Sequence, residues 1–417
     1  MKVLQISPGY TGGGAERCAR ELCAGLRTLG VQSEMWTAAR SETDPPFVKA
    51  MRSRGEHAMR YLDLLFGHTD ARHFGSITKL GKLTKRDFDL VHLHNLHGRY
   101  VSYWALQQLA QRIPVVWTLH DEWAANAGIP YDLTRILPVE QVRRIDRQTS
   151  RFLPCRVSFW TKRLQRFLCE HMPQPKIVIT PSKYIRNLTY QSLRFPDTPI
   201  ERIPYGLTLL EEPAINQDQS AARQQLNIPT DVPVVMIIAA QLQSPYKGMH
   251  LAVAALNTLA AAKAALPHVL LLGKGTAAVA TQLDAKLNVH QHYAANNAEL
   301  ATAYRAADVT LIPSVADNFP YVGLESMACA RPVIAFAVGG LTEMVSDQRG
   351  VLVPPFNTQL LAHTLDELLT QDDRRTQFGT AARKWVEQEC DFKAYLWRIS
   401  QLYQQVVAGS VRMKQAA

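Results

Sequence analysis

No apolar run in this 417-residue chain is long enough to cross a bilayer; the longest, such as 232–240 and 269–272, fall far short of the ~20 residues a spanning helix needs. Cysteine is scarce. The six, at 18, 23, 155, 169, 329 and 390, form no C-x-x-C pair and no regular spacing, which argues against a disulfide framework and a zinc site; reduced thiols are expected. The opening Met1-Lys2-Val3-Leu4-Gln5-Ile6-Ser7-Pro8 enters a strand-like run without the apolar core and cleavage site of a signal peptide, so a cytoplasmic location is expected. No low-complexity tract or repeat of about 20 to 50 residues is evident, which argues against repeat architectures.

With 47% hydrophobic and 20% charged residues, the composition is that of a folded globular protein, and the length suggests two to three domains. The net charge of +10 is unevenly placed: residues 1–210 hold 30 Lys/Arg against 18 Asp/Glu, the remainder 16 against 18. A basic half suits an acidic partner, and by field alone anionic lipid or nucleic acid would fit. Nothing but charge suggests nucleic acid, which is not expected as a partner. Much of the charge lies in Arg143, Arg144, Arg147, Arg151, Arg156, Lys162, Arg163 and Arg166, interleaved with Phe152, Phe159, Trp160 and Phe167. This 143–166 segment either rests peripherally on the anionic inner face of a plasma membrane, near a lipid-linked acceptor, or is a solvated helix face with core aromatics.

Short runs rich in Val, Ile or Leu alternate with longer helical patterns, the signature of parallel sheets with crossover helices. One series has strands at 3–7, 90–94, 115–120 and 177–180 and a helix at 15–29 ending on Gly30. A second has strands at 234–239, 269–272, 309–313, 333–336 and 351–353. Strand patterning lapses at Ile203-Pro204-Tyr205-Gly206 and through 211–227, which predicts a hinge or linker. Helical patterns at 358–369, 373–389 and 392–407 end the chain. The fold class is α/β, with two doubly wound Rossmann-like domains, and ligands are expected at the carboxyl ends of the strands, in an interdomain cleft.

Residues with chemistry do follow these strands. Ser314-Val315-Ala316-Asp317-Asn318-Phe319-Pro320-Tyr321-Val322-Gly323-Leu324-Glu325 is a loop entering a helix, with acids eight apart. Carboxylates accept hydrogen bonds from sugar or ribose diols, and the first amides of a helix, here Tyr321 to Gly323, suit a diphosphate. Two acids alone would more readily be a loop cap, Asp317, and a solvated helix residue, Glu325. In Gln241-Leu242-Gln243-Ser244-Pro245-Tyr246-Lys247-Gly248, Lys247 can reach phosphate oxygens as a point charge. Gly273-Lys274-Gly275 is a glycine turn after a strand. Gly12-Gly13-Gly14-Ala15-Glu16 follows the first strand, where glycine lets the backbone approach a phosphate, but Arg17 stands where G-x-G-x-x-G requires glycine. His92-Leu93-His94-Asn95-Leu96-His97 and Thr118-Leu119-His120-Asp121-Glu122 place imidazoles at strand ends. H-x-H raises a metal reading, while satisfied hydrogen bonds are the ordinary one.

Taken together, these runs resemble the retaining family 4 glycosyltransferases of GT-B fold. Asp317 and Glu325 fall at the acidic positions of the family's E-x7-E region, flanked by Pro313-Ser314 and by Ala328-Cys329-Ala330-Arg331-Pro332-Val333-Ile334-Ala335, then Gly339-Gly340-Leu341-Thr342-Glu343. The segment from Gln241 to Gly248 is similar to R-x5-K-G, and the histidine segments resemble those of bacterial exopolysaccharide (colanic-acid-type) members. The resemblance implies transfer of a hexose, with retention, from a UDP- or GDP-sugar to a glycan or lipid-linked saccharide, with no metal or other cofactor. It implies His120, Asp317 and Lys247 as catalytic. It puts Gly13, Gly14, Gln241, Lys247, Gly273, Phe319, Tyr321, Val322, Gly323 and Glu325 on the donor, and His94, Asn95 and Asp121 toward the acceptor. Domains are expected at 1–205 and 206–391, with 392–417 returning to the first as a helix. Four departures stand out: Asp317 is one methylene shorter than Glu, Gln241 takes the Arg position, Pro320 lacks an N–H, and Ala330 replaces a frequent glycine, read as a minor packing change. A sugar-nucleotide epimerase on the same fold and a catalytically weak nucleotide-sugar-binding subunit are the alternatives.

Overall fold

The computed structural model describes residues 1–51, 74–97, 100–126, 130–133, 166, 170, 172, 174–192 and 194–410. Of the basic 143–166 segment only Arg166, which is exposed, is among them; its other basic residues and its aromatics lie outside the described residues.

Two parallel sheets organise the chain. The first runs β3-β2-β1-β4-β5-β6-β7, from β1 (Lys2–Ile6), β2 (Gln32–Thr37), β3 (Val48–Ala50), β4 (Leu90–Leu93), β5 (Val115–Thr118), β6 (Ile177–Thr180) and β7 (Ile200–Arg202). The second runs β10-β9-β8-β11-β12-β13, from β8 (Val234–Gln241), β9 (His268–Lys274), β10 (Val289–His292), β11 (Val309–Ile312), β12 (Val333–Phe336) and β13 (Gly350–Val353). Strands β4, β5, β6, β11 and β12 are buried at every residue, which is why continuous apolar runs spelled them out. The four strands absent from the sequence reading, β2, β3, β7 and β10, are three-residue pieces or mixed in polarity: QSEMWT, VKA, IER and VHQH. β10 is an edge strand with no fully buried residue, so hydrophobic patterning had little to register there.

The chain divides into two compact units. One carries β1–β7 together with the residues from Lys393 onward; the other spans Gly206 to Phe392 and carries β8–β13. Within the first, the helix Phe392–Val407 reaches β1 and β4 through Tyr403, whose hydroxyl bonds Gln5 and His92, and the helix Gly14–Thr28 through a Tyr395–Cys18 hydrogen bond of 3.4 Å. The linker expected at 211–227 is instead ordered structure in the second unit. Ile215 is buried, and Arg223, 4% exposed, binds Asp308 at 2.7 Å and the carbonyls of Ala306 and Thr230. Polar composition misled there because a fully bonded arginine is tolerated in a core. Cys18, Cys23, Cys329 and Cys390 are buried; burial pushes Cys23 up to about 11 and Cys329 up to about 12, so these two are structural thiols.

Candidate active site

In each sheet the winding reverses beside the first strand, between β1 and β4 and between β8 and β11, and doubly wound sheets bind ligands outside the carboxyl ends of such strands. At β8 and β11 a glycine sets the geometry. Gly248 has φ +62°, and a Cβ on it would stand 1.9 Å from the Pro313 carbonyl oxygen, an approach no other residue permits. The turn Pro245–Lys247 thereby nests against the loop after β11, where the Val315 amide donates to the Tyr246 carbonyl at 2.9 Å. Lys247 Nζ ends 2.6 Å from Asp317 Oδ2. Ser314 Oγ donates to the same oxygen at 3.0 Å and the Asn318 amide to the other at 3.1 Å. Asp317 is thus a buried, triply held carboxylate, while the Lys247 side chain keeps 33% of its surface in solvent and can reach a second anion.

The helix Tyr321–Ala328 begins directly after its N-cap, Pro320. Glu325 lies in its second turn, only 2% exposed, and accepts the Tyr304 hydroxyl at 2.7 Å. A solvated helix residue is therefore the wrong description of it. The Tyr304 hydroxyl, from the helix Asn297–Ala306, also lies 3.1 Å from the Val322 carbonyl, which shares its one proton. The sequence reading missed Tyr304, whose one signal is an aromatic on a helical pattern.

Several expected donor contacts have other work. The Gly323 amide donates to the Pro320 carbonyl at 3.0 Å, and a Cβ there would lie 2.4 Å from Met344 Sδ, so Gly323 is a packing glycine and its amide is not held open for a diphosphate. Tyr321 and Val322 occupy the first turn. The buried Phe319 ring lies 6.3 Å from that of Trp385. Gly273, φ +119°, passes so near β8 that a Cβ would sit 1.9 Å from the Ala239 carbonyl oxygen. Gln241 ends β8, exposed, in register with the exposed Lys274. Ala330 is more than a packing change: at φ +55° it holds the left-handed position after a helix that glycine takes at lower cost.

In the first unit, Gly13 caps the helix Gly14–Thr28, and its amide, expected to face phosphate, is taken by Glu16 Oε2 at 2.9 Å. The histidines after β4 and β5 converge. His94 Nδ1 lies 3.0 Å from His120 Nε2, His94 Nε2 lies 2.9 Å from Gln5 Oε1, and His120 Nδ1 lies 2.8 Å from the Tyr205 hydroxyl. His92 bonds Tyr403 and Thr118. H-x-H is therefore a pair of hydrogen-bonded histidines. Asp121 Oδ2 pairs with His97 Nε2 at 2.7 Å, and its other oxygen accepts the Trp123 amide. His97 was not singled out in the sequence; it lines, with His94, Asn95, His120, Asp121 and Trp123, one small pocket. Among the described residues, no group of three or more His, Cys, Asp or Glu is arranged to hold a metal ion. Asp87-Phe88-Asp89 has D-x-D spacing but lies just before β4, where Asp87 accepts from Thr84 and Asp89 from the Lys2 amide.

Burial, then repulsion from His120, lowers His92 to about 3; burial and His92 lower His94, and burial and His94 lower His120 despite Asp121. All three are neutral near pH 7. Unfolded histidines titrate near 6.5, so below that pH the unfolded chain binds protons that the folded chain refuses. The stabilisation is complete above about pH 6.5 and is lost as pH falls toward the folded values, by on the order of 1.4 kcal/mol per histidine per pH unit. Urea unfolding followed between about pH 7 and pH 5 is expected to show a falling midpoint, with a shallower fall in His92→Asn; identical slopes would contradict the buried neutral assignment.

Two family models match: Glycosyltransferase Family 4 over residues 12–209 and Glycosyl transferases group 1 over residues 218–385. A D-inositol 3-phosphate glycosyltransferase of Corynebacterium aurimucosum is 24% identical over 388 residues, 87% of this chain and 84% of that protein. Among solved structures, sucrose-phosphate synthase from Thermosynechococcus elongatus superposes with TM-score 0.71 at 21% identity, covering 98% of this chain and 100% of that one. Anabaena HepE in complex with UDP-glucose does so with TM-score 0.65 at 20% identity, covering 97% and 100%. At such identities these structures speak for the fold. With a family 4 domain on the first sheet and a group 1 domain on the second, the chain is a glycosyltransferase of GT-B fold.

Proposed function

We propose that this glycosyltransferase moves a hexose, with retention and without a metal, from a UDP- or GDP-sugar to a glycan or lipid-linked saccharide in polysaccharide assembly of the bacterial exopolysaccharide type, at the cytoplasmic face of the membrane. The observation that carries the reading is the convergence of a solvent-reaching cation, Lys247, with the buried acid Asp317, beside a helix bearing the second buried acid, Glu325. Lys247 rests on Asp317 in this structure. A bound diphosphate draws the ammonium to its oxygens, where it stabilises the departing charge, and Asp317 is left to accept a sugar hydroxyl. The first turn of the helix at Tyr321 and Val322 supports the diphosphate, and Glu325 takes the ribose diol. Lys274, the register partner of Gln241, supplies the cation that position lacks. His120 is assigned to the donor sugar, and His94, Asn95 and Asp121 to the acceptor, whose hydroxyl attacks the face the nucleotide leaves.

A second reading of the acceptor has its own support. The excess of 30 basic over 18 acidic residues in 1–210 suits a phosphorylated polyol, the acceptor class that the name of the C. aurimucosum relative indicates for that protein. Thermal-shift screening of UDP- and GDP-sugars, followed by hydrolysis of the best donor in the presence of EDTA, tests the proposal. A raised unfolding midpoint with at least one donor, and cleavage unaffected by the chelator, is expected. No shift with any of them would sink it. Rates with inositol phosphate against neutral saccharides then separate the two acceptors.

A further inference from the structure

The buried polar chain around His120 extends to the C-terminal helix, and its proton positions follow from one amide. Gln5 Oε1 lies 2.9 Å from His94 Nε2, and Gln5 Nε2 donates to the Tyr403 hydroxyl at 3.2 Å. An amide oxygen only accepts, so His94 carries its proton on Nε2. His94 Nδ1 is then a lone pair, and His120 Nε2, 3.0 Å away, is the donor to it. That leaves His120 Nδ1 a lone pair, which accepts the Tyr205 hydroxyl at 2.8 Å. On the other side, Tyr403 donates to His92 Nδ1 at 2.5 Å and His92 Nε2 donates to Thr118 Oγ1 at 2.7 Å. Turning the Gln5 amide over would reverse every bond from His94 to Tyr205 and make His120 Nδ1 a donor. Gln5, Tyr403, His92, His94 and His120 are all buried, so water does not stand in for a lost partner.

We propose that Gln5 and Tyr403 are positioning residues that hold His120 in the Nε2–H tautomer, so that its Nδ1 offers an acceptor to a hydroxyl: that of Tyr205 here, and one of the substrate's sugar during the reaction. The proposal rests on the reading of His120 as the residue beside the donor sugar. It makes the helix Phe392–Val407 part of the catalytic apparatus through a single phenolic oxygen contributed from the far end of the chain. The rings are fixed independently of these bonds. Tyr403 meets His92 edge-on at 5.6 Å, His92 and His94 lie 4.4 Å apart, and His94 stacks on His120 at 5.2 Å. Removing the hydroxyl therefore removes hydrogen bonds and leaves the packing.

The test is nitrogen NMR of the full chain with 15N-labelled histidine, read beside donor-cleavage kinetics. Wild type is expected to show His94 and His120 as Nε2–H tautomers. Tyr403→Phe should give mixed tautomers at both, with kcat down about tenfold or more and KM for the donor within about twofold. Gln5→Leu, which removes both Gln5 bonds, should do the same and serves if the first variant folds poorly. An Nδ1–H His120 in wild type, unchanged tautomers in both variants, or mixed tautomers with an unchanged kcat would each overturn the proposal. His120→Ala separates the two levels. Wild-type turnover in that variant removes His120 from the site altogether, whereas impaired turnover combined with unmoved tautomers in Tyr403→Phe and Gln5→Leu overturns only the positioning role.

Discussion

Glu325→Ala is expected to weaken donor binding by ~10²-fold while leaving the fold intact. The carboxylate is buried in the second turn of its helix, where it accepts the Tyr304 hydroxyl at 2.7 Å. Hydrogen bonds to an ionised carboxylate contribute about 1.5–3 kcal/mol each, and loss of a ribose diol that engages both oxygens removes about 3 kcal/mol of binding. The fold should tolerate the change because Tyr304, the residue that holds Glu325, keeps a hydrogen bond to the Val322 carbonyl at 3.1 Å. Calorimetric titration of the best nucleotide sugar, with the unfolding midpoint as control, reads both quantities. Unchanged affinity in a well-folded variant would take Glu325 out of the donor site.

Lys247→Met should act on turnover more than on binding. Methionine keeps the reach of the side chain and removes its charge, so the departing diphosphate loses a cation that matters most when the bond breaks. Removal of one such group typically lowers kcat by ~10²–10³-fold. The variant also leaves Asp317 without a counter-charge, although Ser314 and the Asn318 amide still hold its oxygens. A stability loss of about 1–2 kcal/mol follows, and the double variant Lys247→Met with Asp317→Asn should recover part of it, because no buried charge is then left unpaired. Full additivity of the two losses in a double-mutant cycle would mean that the 2.6 Å pair is energetically idle.

Much of this was legible in the sequence, for identifiable reasons. Parallel strands buried on both faces leave uninterrupted Val, Ile and Leu runs, so β4, β5, β6, β11 and β12 could be read almost to the residue. The Lys247-Gly248 pair was legible because Gly248 answers a backbone demand that no other residue meets. What could not be read was which partners the polar residues would find. Nothing in the sequence couples Lys247 to Asp317 seventy positions on, or Tyr403 to Gln5 across almost the whole chain. The same limit produced the errors. Gly323 looked like a phosphate-facing amide because the proximity of Met344 is a tertiary fact, and 211–227 looked like a linker because the partners of Arg223 lie some eighty residues away.

The most direct test follows the proton NMR spectrum of an α-linked nucleotide sugar, chosen by the thermal-shift screen, during incubation with the full chain. Release of nucleoside diphosphate together with a sugar that appears first as the α anomer, slowed ~10²–10³-fold in Lys247→Met, is the expected result. An epimerised nucleotide sugar, a sugar released first as the β anomer, or a donor left intact would contradict retaining transfer at the Lys247, Asp317 and Glu325 site.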